Sequence, residues 1–578
     1  MTKRNRRMNL LYLPALGLVL LFVLLPLVTS VKTSFYNWNG YSPVKKFVGM
    51  KNYLDLFRDE NFKMAFLNTI LYGFGSTILQ NVLGLALALF LNTKFAGHKV
   101  VRTIVYLPVM ISGLIMGYIM YFVVQNTGAI NEILGWFGLQ GRDWMASGAV
   151  GRVFITLINS WQYCGICMVI YMAGLQNISR MYYEAAAIDG AGTFQIFRSI
   201  TLPLLIPAMS SAFVINLIGG LKLYDVVVSL SGGGPGFETS SLSWYIDNRY
   251  FKAEQAGYAS AVGVVMFLFI LLCSHIEWIL PEEGGGDVMK TREKVKKNIE
   301  EGTHYYAGQK KGYWWKYLLA FLIIAIYLIP LYVLFMQSFK SMSDGSTALG
   351  FPEVWRIDNY TSVIKDGTIL RAFKNSAIIA VFTIVIEVVL ACMAAYPLSR
   401  NDSKFNGFIR NVFMGVMMIP PLTILVGVYT FLVDLKAINS YWGLILTLVA
   451  FGLPMSVFMF TNFISSIPRA LDEASIIDGA NIIQTFFYII LPQLKPIIAT
   501  VVILHGVAAW NEYAYSMYIM QKPELLTITL TIKKYFSSVG NNYGGAAASA
   551  VLAILPLTII YLLLQDAFVQ GQVDSAIK

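Results

Sequence analysis

Two short polar stretches of nearly the same sequence interrupt the long apolar runs of this chain. The first, EAAAIDGAGTFQIF, begins at Glu184, and the second, EASIIDGANIIQTF, begins at Glu473. In each copy a helix-forming start meets Asp-Gly, and glycine ends a helix because it readily adopts the left-handed conformation. The pattern predicts a helix, a sharp turn and a second helix. Such a rigid turn, with a few apolar side chains beside it, suits docking into the cleft of a partner protein.

The positions that match between the two copies are the candidate docking residues. The matches extend to a Leu-Pro pair and a further proline at constant spacing, whereas the surrounding apolar runs differ. Duplication alone would also make two loops similar, but the constant spacing favours a shared role. The candidates are Glu184, Ala185, Asp189, Gly190, Ala191 and Phe197 in the first copy, and Glu473, Ala474, Asp478, Gly479, Ala480 and Phe486 in the second.

A second kind of candidate is a polar side chain inside an apolar run. Glu387 lies midway between Lys374 and Arg400 in one such run, and Gln80 occupies the equivalent place in an earlier run. A charge in the middle of a membrane-spanning helix is costly, so Glu387 is expected to face protein or water. These two groups could bind a substrate, or they could tie neighbouring helices together, and the sequence leaves both interpretations open.

Long uncharged runs are the elements that must position these residues. The chain has 578 residues, of which 57% are hydrophobic and 13% charged, whereas a soluble domain has a charged fraction of about 25%. The runs that approach or exceed the ~20 residues of a membrane-spanning helix indicate an all-α membrane protein with twelve transmembrane helices in two sets of six. They lie at 10–31, 64–93, 103–131, 153–179, 199–221, 255–274, 317–339, 375–399, 411–433, 437–466, 496–511 and 541–565.

The distribution of basic residues predicts the topology. The formal charge of +11 comes largely from Lys and Arg at the ends of apolar runs, as in cytoplasmic loops, and no basic soluble domain is present to bind nucleic acid. Four basic residues among the first seven predict a cytoplasmic N terminus, and twelve crossings then predict a cytoplasmic C terminus. We expect a first half at 1–280, a polar cytoplasmic linker at 281–316 and a second half at 317–578.

The two halves are related as parallel repeats. FLNTILYGFGSTILQ, which begins at Phe66, matches FKNSAIIAVFTIVIE, which begins at Phe373. Six crossings per half give both copies the same orientation, so the pseudo-symmetry axis is expected to lie along the membrane normal between them. Both Asp-Gly stretches then follow four crossings and face the cytoplasm. We expect a substrate pathway on the axis.

The repeated stretch resembles the coupling motif of ABC importer permeases. Its pattern, E-A-A-x-x-D-G-A followed by L-P-x-x-x-P, is highly specific for that family. There the stretch forms a coupling helix, which sits in a groove of a cytoplasmic ATPase subunit and transmits nucleotide-driven closure to the membrane helices. The resemblance implies coupling segments at 180–197 and 469–486, referred to below as the first and second Asp-Gly elements. It also implies two separate ATPase subunits that use ATP and Mg.

Other stretches narrow the resemblance to the carbohydrate group of these permeases, the maltose and multiple-sugar type. SFYNWNG, FVGMKNY and LYDVVVSLSGGGPGFETSSL resemble the first permease of that group, and WNEYAYSMYI resembles the second. The resemblance therefore implies two permease subunits fused in one chain of a bacterial plasma membrane. It further implies an extracellular solute-binding protein that delivers a carbohydrate, with an oligosaccharide as the expected substrate.

Sugar recognition should combine aromatic faces with amide, hydroxyl or carboxylate groups, because a buried sugar hydroxyl without a partner is costly. Three clusters on corresponding helices have this composition, although a single Tyr or Trp is more often part of the interfacial aromatic belt. With Gln80 and Glu387 they form the predicted substrate pathway. The clusters are Asn159, Trp161, Gln162 and Tyr163; Lys222, Tyr224 and Asp225; and Trp510, Asn511, Glu512 and Tyr513.

The chain is not expected to be an enzyme. No G-x-x-x-x-G-K-[ST] sequence is present to hold nucleotide phosphates, so energy must come from another subunit, and we expect no cofactor or metal bound by this chain. A proton-coupled secondary transporter that uses Glu387 is the alternative from a different class. It would leave both Asp-Gly elements without a role. A membrane enzyme is a weaker third possibility, since no nucleophile or metal set is assembled in the sequence.

Overall fold

The computed structural model of the chain describes residues 8–93, 95–279, 314–341, 343–538 and 543–576. The fold is 78% helical. The strands among the described residues form one short antiparallel pair, β1 (Tyr36–Asn37) and β2 (Lys46–Phe47). The all-helical prediction is therefore confirmed. The predicted linker lies outside the described residues except for its last three positions, which begin a helix.

The described residues of the first half form ten helices and a separate short π-helix, Val227–Ser231. The helices are α1 (Leu10–Thr33), α2 (Lys51–Arg58), α3 (Glu60–Leu91), α4 (His98–Met110), α5 (Gly113–Trp136), α6 (Gly148–Asn177), α7 (Arg180–Ile188), α8 (Thr193–Leu221), α9 (Leu242–Asp247) and α10 (Ala256–Ile279). Other 3₁₀ and π segments are counted with the helices they continue, except that the π turn Asn248–Lys252 follows α9 directly. Asp59 caps α3 by accepting the backbone N–H of Asn61 at 2.9 Å.

The second half repeats this order with one additional break and a longer segment after its first helix. The helices are α11 (Trp314–Gln337), α12 (Asp358–Lys365), α13 (Thr368–Arg400), α14 (Lys404–Met417), α15 (Pro421–Asp434), α16 (Tyr441–Ser466), α17 (Ala470–Ile477), α18 (Ile482–Gln493), α19 (Lys495–Trp510), α20 (Ala514–Ile519), α21 (Ile528–Ser538) and α22 (Tyr543–Ala576). The additional break lies between α18 and α19. The helix pairs α3 with α6 and α13 with α16 pack together in the same way in the two halves.

Ten helices among the described residues are long and apolar enough to cross a membrane, and two bent pairs bring the number to twelve if each pair is one span. The pair α14 and α15 bends by 95°, and the pair α18 and α19 bends by 73°. Prolines lie at both bends, where the missing N–H and the ring disfavour a continuous helix. All twelve predicted runs thus correspond to a span or a bent pair, and the predicted fold class is confirmed.

The third predicted run, 103–131, is wrong as a single helix. The chain leaves the helical conformation at Ile111 and Ser112, and α5 begins directly afterwards. The Ser112 hydroxyl accepts the backbone N–H of Ile115 at 3.2 Å and so caps α5. Apolar composition alone hides such a break, because one serine between two hydrophobic segments does not change the hydropathy of the run.

The first span of each half packs against the other half. Helix α1 lies on α15, where a Cβ on Gly427 would come within 2.1 Å of the Pro26 carbonyl oxygen, so glycine is required for this close approach. Helix α11 lies on α4 and α5, and its Tyr327 ring stacks on Trp161 of α6 with centroids 5.2 Å apart. These exchanged contacts join the two halves, since each of two hydrophobic core clusters draws residues from both of them.

Candidate functional site

The first Asp-Gly element has the predicted helix, turn and second helix. Helix α7 ends at a left-handed glycine, since Gly190 has φ +75°. The N–H of Ala191 donates to the carbonyl of Ala186 at 2.9 Å, and the N–H of Gly190 donates to the carbonyl of Ala187 at 3.2 Å. This pair of bonds is a Schellman motif, which satisfies the last carbonyls of the helix and fixes the direction of the turn.

The second Asp-Gly element closes α17 with the same pair of bonds. Gly479 has φ +85°, and its N–H donates to the carbonyl of Ile476 at 3.0 Å. The N–H of Ala480 donates to the carbonyl of Ser475 at 2.9 Å. Two segments far apart in the chain therefore have the same backbone conformation at the predicted turn. A side chain at either glycine would meet no neighbour but would strain the left-handed backbone.

An apolar side chain stands fully exposed beside each turn. Ile188 is 87% exposed and Ile477 is 86% exposed, and they precede Asp-Gly at the same position in the two copies. Phe194 and Ile483, on the second helix of each element, are also exposed. Burial of a side chain of this size is worth about 1.5–3 kcal/mol, so each element presents an unsatisfied apolar surface.

Most of the predicted docking residues lie on this surface. Ala191, Ala480 and Phe197 are half-buried, and the remaining predicted residues except one are exposed. The exception is Phe486, which is 1% exposed and packs on Tyr396 of α13 with ring centroids 5.5 Å apart. Phe486 therefore holds the second element to the membrane helices, and its side chain cannot contact a partner in this conformation.

The two polar groups inside the spans, Gln80 and Glu387, both contact neighbouring helices. The Gln80 amide donates to the Asn159 backbone carbonyl of α6 at 3.0 Å, and the Asn159 side chain donates to the hydroxyl of Ser76 on α3 at 2.9 Å. Gln80 and Asn159 thus join α3 to α6. The Oε1 atom of Gln80 is buried without a hydrogen-bond partner among the described residues, so it remains able to accept a bond from a hydroxyl group or water.

Glu387 belongs to a cluster that sequence reasoning did not assemble. Its Oε1 atom accepts the hydroxyl of Ser456 on α16 at 2.5 Å and Nδ1 of His505 on α19 at 2.8 Å. The carboxyl group therefore joins three helices of the second half. His505 lies in the apolar part of the predicted run 496–511, the fifth of the second half, and that position in a membrane-spanning helix was the available signal for a partner of a buried acid.

The equivalent positions in the first half carry uncharged residues. When the two Asp-Gly elements are aligned, Cys167 corresponds to Ser456 and Asn216 corresponds to His505. The Asn216 amide donates to Sγ of Cys167 at 2.9 Å. The same three positions therefore form polar contacts in both halves, with an acid and an imidazole in the second half and with amides and a thiol in the first.

Two predicted pathway residues cap the broken third span of the first half. The Gln162 amide donates to the carbonyls of Pro108 and Ile111 at 3.3 and 2.9 Å, and the Asn511 amide donates to the carbonyl of Met110 at 2.8 Å. The final carbonyls of a helix lack partners within the helix, so side-chain amides satisfy them. Because Asn511 belongs to the second half, this contact also joins the two halves beside the axis.

Aromatic rings of the two halves meet at the ends of α8 and α19 that lie opposite the Asp-Gly elements. Tyr224 and Tyr513, which occupy equivalent positions, stack with centroids 6.1 Å apart, and the Tyr224 hydroxyl lies 3.5 Å from that of Tyr518. Tyr518 in turn stacks on Phe251 at 3.7 Å. The structure thus brings together the predicted clusters that follow the fifth spans of the two halves.

A further stacked pair closes the same end of the molecule. Tyr118 of α5 and Phe536 of α21 are parallel within 4°, with centroids 4.0 Å apart. We refer to the three contacts Tyr118–Phe536, Phe251–Tyr518 and Tyr224–Tyr513 as the aromatic closure. Sequence reasoning missed Tyr118, Phe251 and Phe536, because each lies in a segment whose partner is distant in the chain.

The remaining predicted pathway residues lie close to this closure or on the helices below it. Tyr163 is half-buried, and Trp161 has a buried Nε1 without a hydrogen-bond partner in the described part of the chain. Trp510 packs on Phe373 with centroids 5.9 Å apart. The Glu512 carboxylate accepts the N–H groups of Tyr515 and Ser516 at 2.6 and 2.8 Å, and so caps α20.

Two carboxyl groups behind the aromatic closure have raised pKa values. Burial raises the pKa of Asp225 to about 7, and the nearby Glu512 carboxyl adds to this rise. Burial also raises the pKa of Asp247 to about 6, while Lys533, Lys252 and a hydrogen bond from Tyr224 act against it. The closure is therefore lined by carboxyl groups that gain or lose a proton close to neutral pH.

The geometry agrees with a comparison of the sequence with known families. Residues 80–277 and 387–573 each match the family described as "Binding-protein-dependent transport system inner membrane component". The chain belongs to this family. The two matches begin at the equivalent residues Gln80 and Glu387, so each half is a permease domain. The predicted resemblance to ABC importer permeases is confirmed.

Similar permeases are about half the length of this chain and are named for sugars. The melibiose/raffinose/stachyose import permease protein MelC of Bacillus subtilis is 34% identical over 262 residues, which are 45% of this chain and 95% of that protein. The trehalose/maltose transport system permease protein MalF of Thermococcus litoralis is 34% identical over 45% of this chain and 89% of that protein. Two permease domains in one chain are consistent with a fusion of two permeases of the sugar ABC importer family.

Solved permeases are also similar to part of the chain. One belongs to a bacterial ABC transporter involved in the import of the acidic polysaccharide alginate, with 27% sequence identity, a TM-score of 0.43, and coverage of 48% of this chain and 98% of that chain. A second structure, of a bacterial alginate ABC transporter in complex with an alginate pentasaccharide-bound periplasmic protein, matches with a TM-score of 0.42 and 27% identity over 47% of this chain and 94% of that chain.

Proposed function

We propose that this chain forms the translocation pathway of an ATP-driven importer that moves an oligosaccharide into the cytoplasm by alternating access. Two separate ATPase subunits bind the two Asp-Gly elements, and an extracellular solute-binding protein delivers the sugar at the end that carries the aromatic closure. ATP and Mg are used by the ATPase subunits. In this arrangement both termini and both Asp-Gly elements face the cytoplasm of a bacterial cell.

The observation that carries this proposal is the pair of matched, exposed elements. Ile188 and Ile477 are both almost fully exposed at the tip of a turn that is fixed by a left-handed glycine. An exposed apolar group on a rigid support is what a partner protein with an apolar groove would bind, because docking removes its surface from water without ordering a flexible loop. Two equal elements fit two ATPase subunits, or one ATPase subunit used twice.

The composition of the predicted pathway supports a sugar as the transported solute. Tyr224 and Tyr513 offer aromatic faces, while Gln80, Gln162 and Trp161 each retain a buried polar atom without a protein partner among the described residues. Unpartnered donors and acceptors of this kind would pair with sugar hydroxyls. Within the predicted pathway, Asn159, Asn511 and Glu512 position helices around these groups, so their effect on transport would be through the shape of the pathway.

The aromatic closure supports alternating access. Three stacked pairs hold the two halves together at one end, so a solute delivered there can enter only when the stacks separate. Each stacked pair contributes about 0.5–1.5 kcal/mol beyond the free energy of burying its surface. The free energies of ligand binding and nucleotide binding are therefore large enough to separate the stacks. Motion of the Asp-Gly elements at the opposite end would transmit the free energy of nucleotide binding to the closure.

The contacts of Glu387 weigh against the alternative of a proton-coupled secondary transporter. Its carboxyl group already accepts bonds from Ser456 and His505 and joins three helices. Family membership also favours ATP-driven transport, since relatives are subunits of ABC importers. We therefore assign Glu387 a role in holding the helices of the second half together. Its effect on transport would be indirect, through the shape of the pathway.

Purification of the tagged chain from membranes of its source organism tests the proposal. We expect an ATPase with a nucleotide-binding motif to co-purify with the chain. The double variant Gly190→Val and Gly479→Val should lose it, because a β-branched residue is strained at positive φ and the turn would be displaced. Gly407→Val is the matched control, since Gly407 also has free space but lies in a helix outside both elements. Equal recovery of the ATPase with both variants would overturn the proposal.

A further inference from the structure

The two Asp-Gly elements differ in how they are attached to the membrane helices. In the second element, the Asp472 carboxylate lies 2.9 Å from the Arg400 guanidinium, and both side chains are about nine-tenths buried. The Tyr396 hydroxyl donates to the other oxygen of Asp472 at 2.7 Å. Arg400 and Tyr396 both belong to the last turns of α13, so α17 is held to that helix by one hydrogen bond and one charge contact.

Packing and a local hydrogen bond strengthen this attachment. The Phe486 ring, on the helix after the turn, lies against Tyr396. The hydroxyl groups of Ser475 and Thr485 are 2.9 Å apart and connect the two helices of the element across the turn. Both helices of the second element are therefore fastened to each other and to α13. The Nε and Nη2 atoms of Arg400 and the facing Oδ2 atom of Asp472 have no hydrogen bond among the described residues, so the pair is a charge contact. It restricts motion because separating two buried charges would leave each of them unpaired.

Helix α13 carries a second polar contact nearer the membrane centre. Glu387, four turns before the Arg400 end, receives a bond from His505 of α19. Helix α19 follows the second element in the chain through α18 and a bend of 73°. The second element is thus connected to the membrane interior by two routes, along α13 and along α18 and α19, and the Glu387–His505 contact joins these routes.

The first element has no such ion pair at the equivalent positions. Thr93 stands where the second half has Arg400, and Tyr183 stands where it has Asp472, so neither position holds a Lys, Arg, Asp or Glu. The Thr93 hydroxyl donates to the carbonyl of Phe90 in its own helix, and the Tyr183 hydroxyl lies 3.3 Å from that of Thr201 within the element and the helix that follows it. These contacts do not join α7 to α3.

We propose that Arg400 and Asp472 are positioning residues that make the second Asp-Gly element move with α13 as one rigid body. The second half would then transmit motion of the ATPase subunits to the membrane interior, whereas the first element follows its ATPase subunit with more freedom. This inference rests on the proposed function, because it assigns the transmitted motion to ATPase subunits. The rigidity itself is a property of the chain alone.

Spin-label distances in the full chain, reconstituted in lipid nanodiscs, test the rigidity. One label pair joins Val389 on α13 to Ile477, and the matched pair joins Val82 on α3 to Ile188, all four being exposed side chains at equivalent positions. The four native cysteines are replaced beforehand. We expect a narrow distance distribution for the pair in the second half and a broader one for the pair in the first half. Equal widths would overturn the inference.

Charge variants separate a positioning role from simple loss of folding. Arg400→Gln should broaden the Val389–Ile477 distribution to the width of the first-half pair, while Thr93→Ala leaves the Val82–Ile188 pair unchanged. Exchange of the charges, Arg400→Asp with Asp472→Arg, should restore the narrow distribution. An unchanged width in Arg400→Gln would contradict the inference, as would an exchanged pair that stays broad although the protein is folded.

The complex with the co-purified ATPase tests the transmission step. Trapping with ATP and vanadate should change the distance between labels at Val82 and Val389 in the wild type. Arg400→Gln should retain the ATPase and the trapped nucleotide but lose most of this change. A retained change would overturn transmission through the ion pair. If no ATPase co-purifies with the wild type, the proposed function is refuted instead. The rigidity result would be unaffected, because it is measured on the chain alone.

Discussion

The two halves of this permease present nearly the same surface at their Asp-Gly elements but hold it by different interactions. Both turns have a left-handed glycine and an exposed isoleucine. Behind them, the second half uses the Arg400–Asp472 ion pair, whereas the first has Thr93 and Tyr183 at those positions. The difference teaches that the requirement shared by the two copies is the exposed turn, while its internal support can be built in more than one way.

The same contrast recurs inside the membrane-spanning helices. Glu387, with Ser456 and His505, joins three helices of the second half through an ionisable group. The first half uses the uncharged Gln80 and the contact between Asn216 and Cys167 at the equivalent positions. Exchanging residues between the halves therefore tests whether each support depends on its own surroundings.

The largest expected effect comes from breaking the support that only the second half has. Arg400→Gln leaves the buried Asp472 carboxylate without its cation, and removal of one partner from a buried ion pair costs about 3–5 kcal/mol. We expect the free energy of unfolding, measured by denaturant titration in detergent, to fall by this amount. Thr93→Ala in the first half should change it by less than about 0.5 kcal/mol. Similar losses in both variants would remove the contrast.

The next effect concerns Asp225, whose equivalent position in the second half is Ala514. The folded protein raises the pKa of Asp225 from 3.8 to about 7, so it favours the protonated form. Its contribution to stability is therefore full below about pH 4 and is lost as the pH rises towards 7, by at most about 1.4 kcal/mol per unit of pKa difference. Asp225→Asn should remove this pH dependence of unfolding.

The matched control for Asp225 is Asp189, an exposed carboxyl group in the first Asp-Gly element. Asp189→Asn should leave the change in stability between pH 4 and pH 7 as it is in the wild type. A wild-type protein whose stability rises over this range, with Asp225→Asn reproducing the rise, would show that Asp225 is ionised at little cost in the folded state.

A transplant between the halves should have an intermediate effect. Gln80→Glu places a carboxyl group opposite the Asn159 backbone carbonyl and removes the amide that donates to it. An unsatisfied buried polar group costs about 1–3 kcal/mol, and the first half offers an asparagine where the second offers His505. We expect the free energy of unfolding to fall by that amount in Gln80→Glu. The second half accommodates the buried carboxyl group of Glu387 because His505 is its partner there. Tolerance of Gln80→Glu without loss would contradict this account.

The smallest predicted effect sharpens the comparison at the end where the halves meet. Tyr118 and Phe536 come from different halves and stack at 4.0 Å. A double-mutant cycle with Tyr118→Leu and Phe536→Leu should give a coupling energy of about 0.5–1.5 kcal/mol in thermal unfolding. A coupling energy close to zero would indicate that the two rings contribute independently, and the aromatic closure would then not hold the halves together through this pair.

Sequence reasoning predicted those features that depend on local pattern. Hydropathy predicts the span lengths, glycine conformation predicts the Asp-Gly turns, and internal repetition relates Gln80 to Glu387. Each of these signals is contained in a short segment of the sequence. The break at Ser112 was missed because a single residue with a helix-capping side chain does not alter hydropathy. The inward orientation of Phe486 was missed because a repeated apolar residue can serve either the surface or its support.

The contacts between distant segments could not be predicted in the same way. Asp472 immediately precedes the exposed Glu473, and no local pattern distinguishes an acid that faces α13 from one that faces a partner. The pairing of Tyr118 with Phe536 and of Asn511 with the carbonyl of Met110 requires the packing of one half on the other. Such contacts depend on the rotation of each helix about its own axis and on its depth in the membrane. Hydropathy determines both only to within about a helical turn.

Site-specific photo-crosslinking at Ile188 and Ile477 in living cells tests the central claim most directly, since these two side chains are the exposed tips of the Asp-Gly elements. With a benzophenone amino acid at either position, we predict an adduct with an ATPase subunit, and none from the same probe at Val354, an exposed residue between α11 and α12. Glu387→Gln should leave both adducts intact. Absence of an ATPase adduct at both tips, with the probe incorporated and the permease in the membrane, would contradict the account.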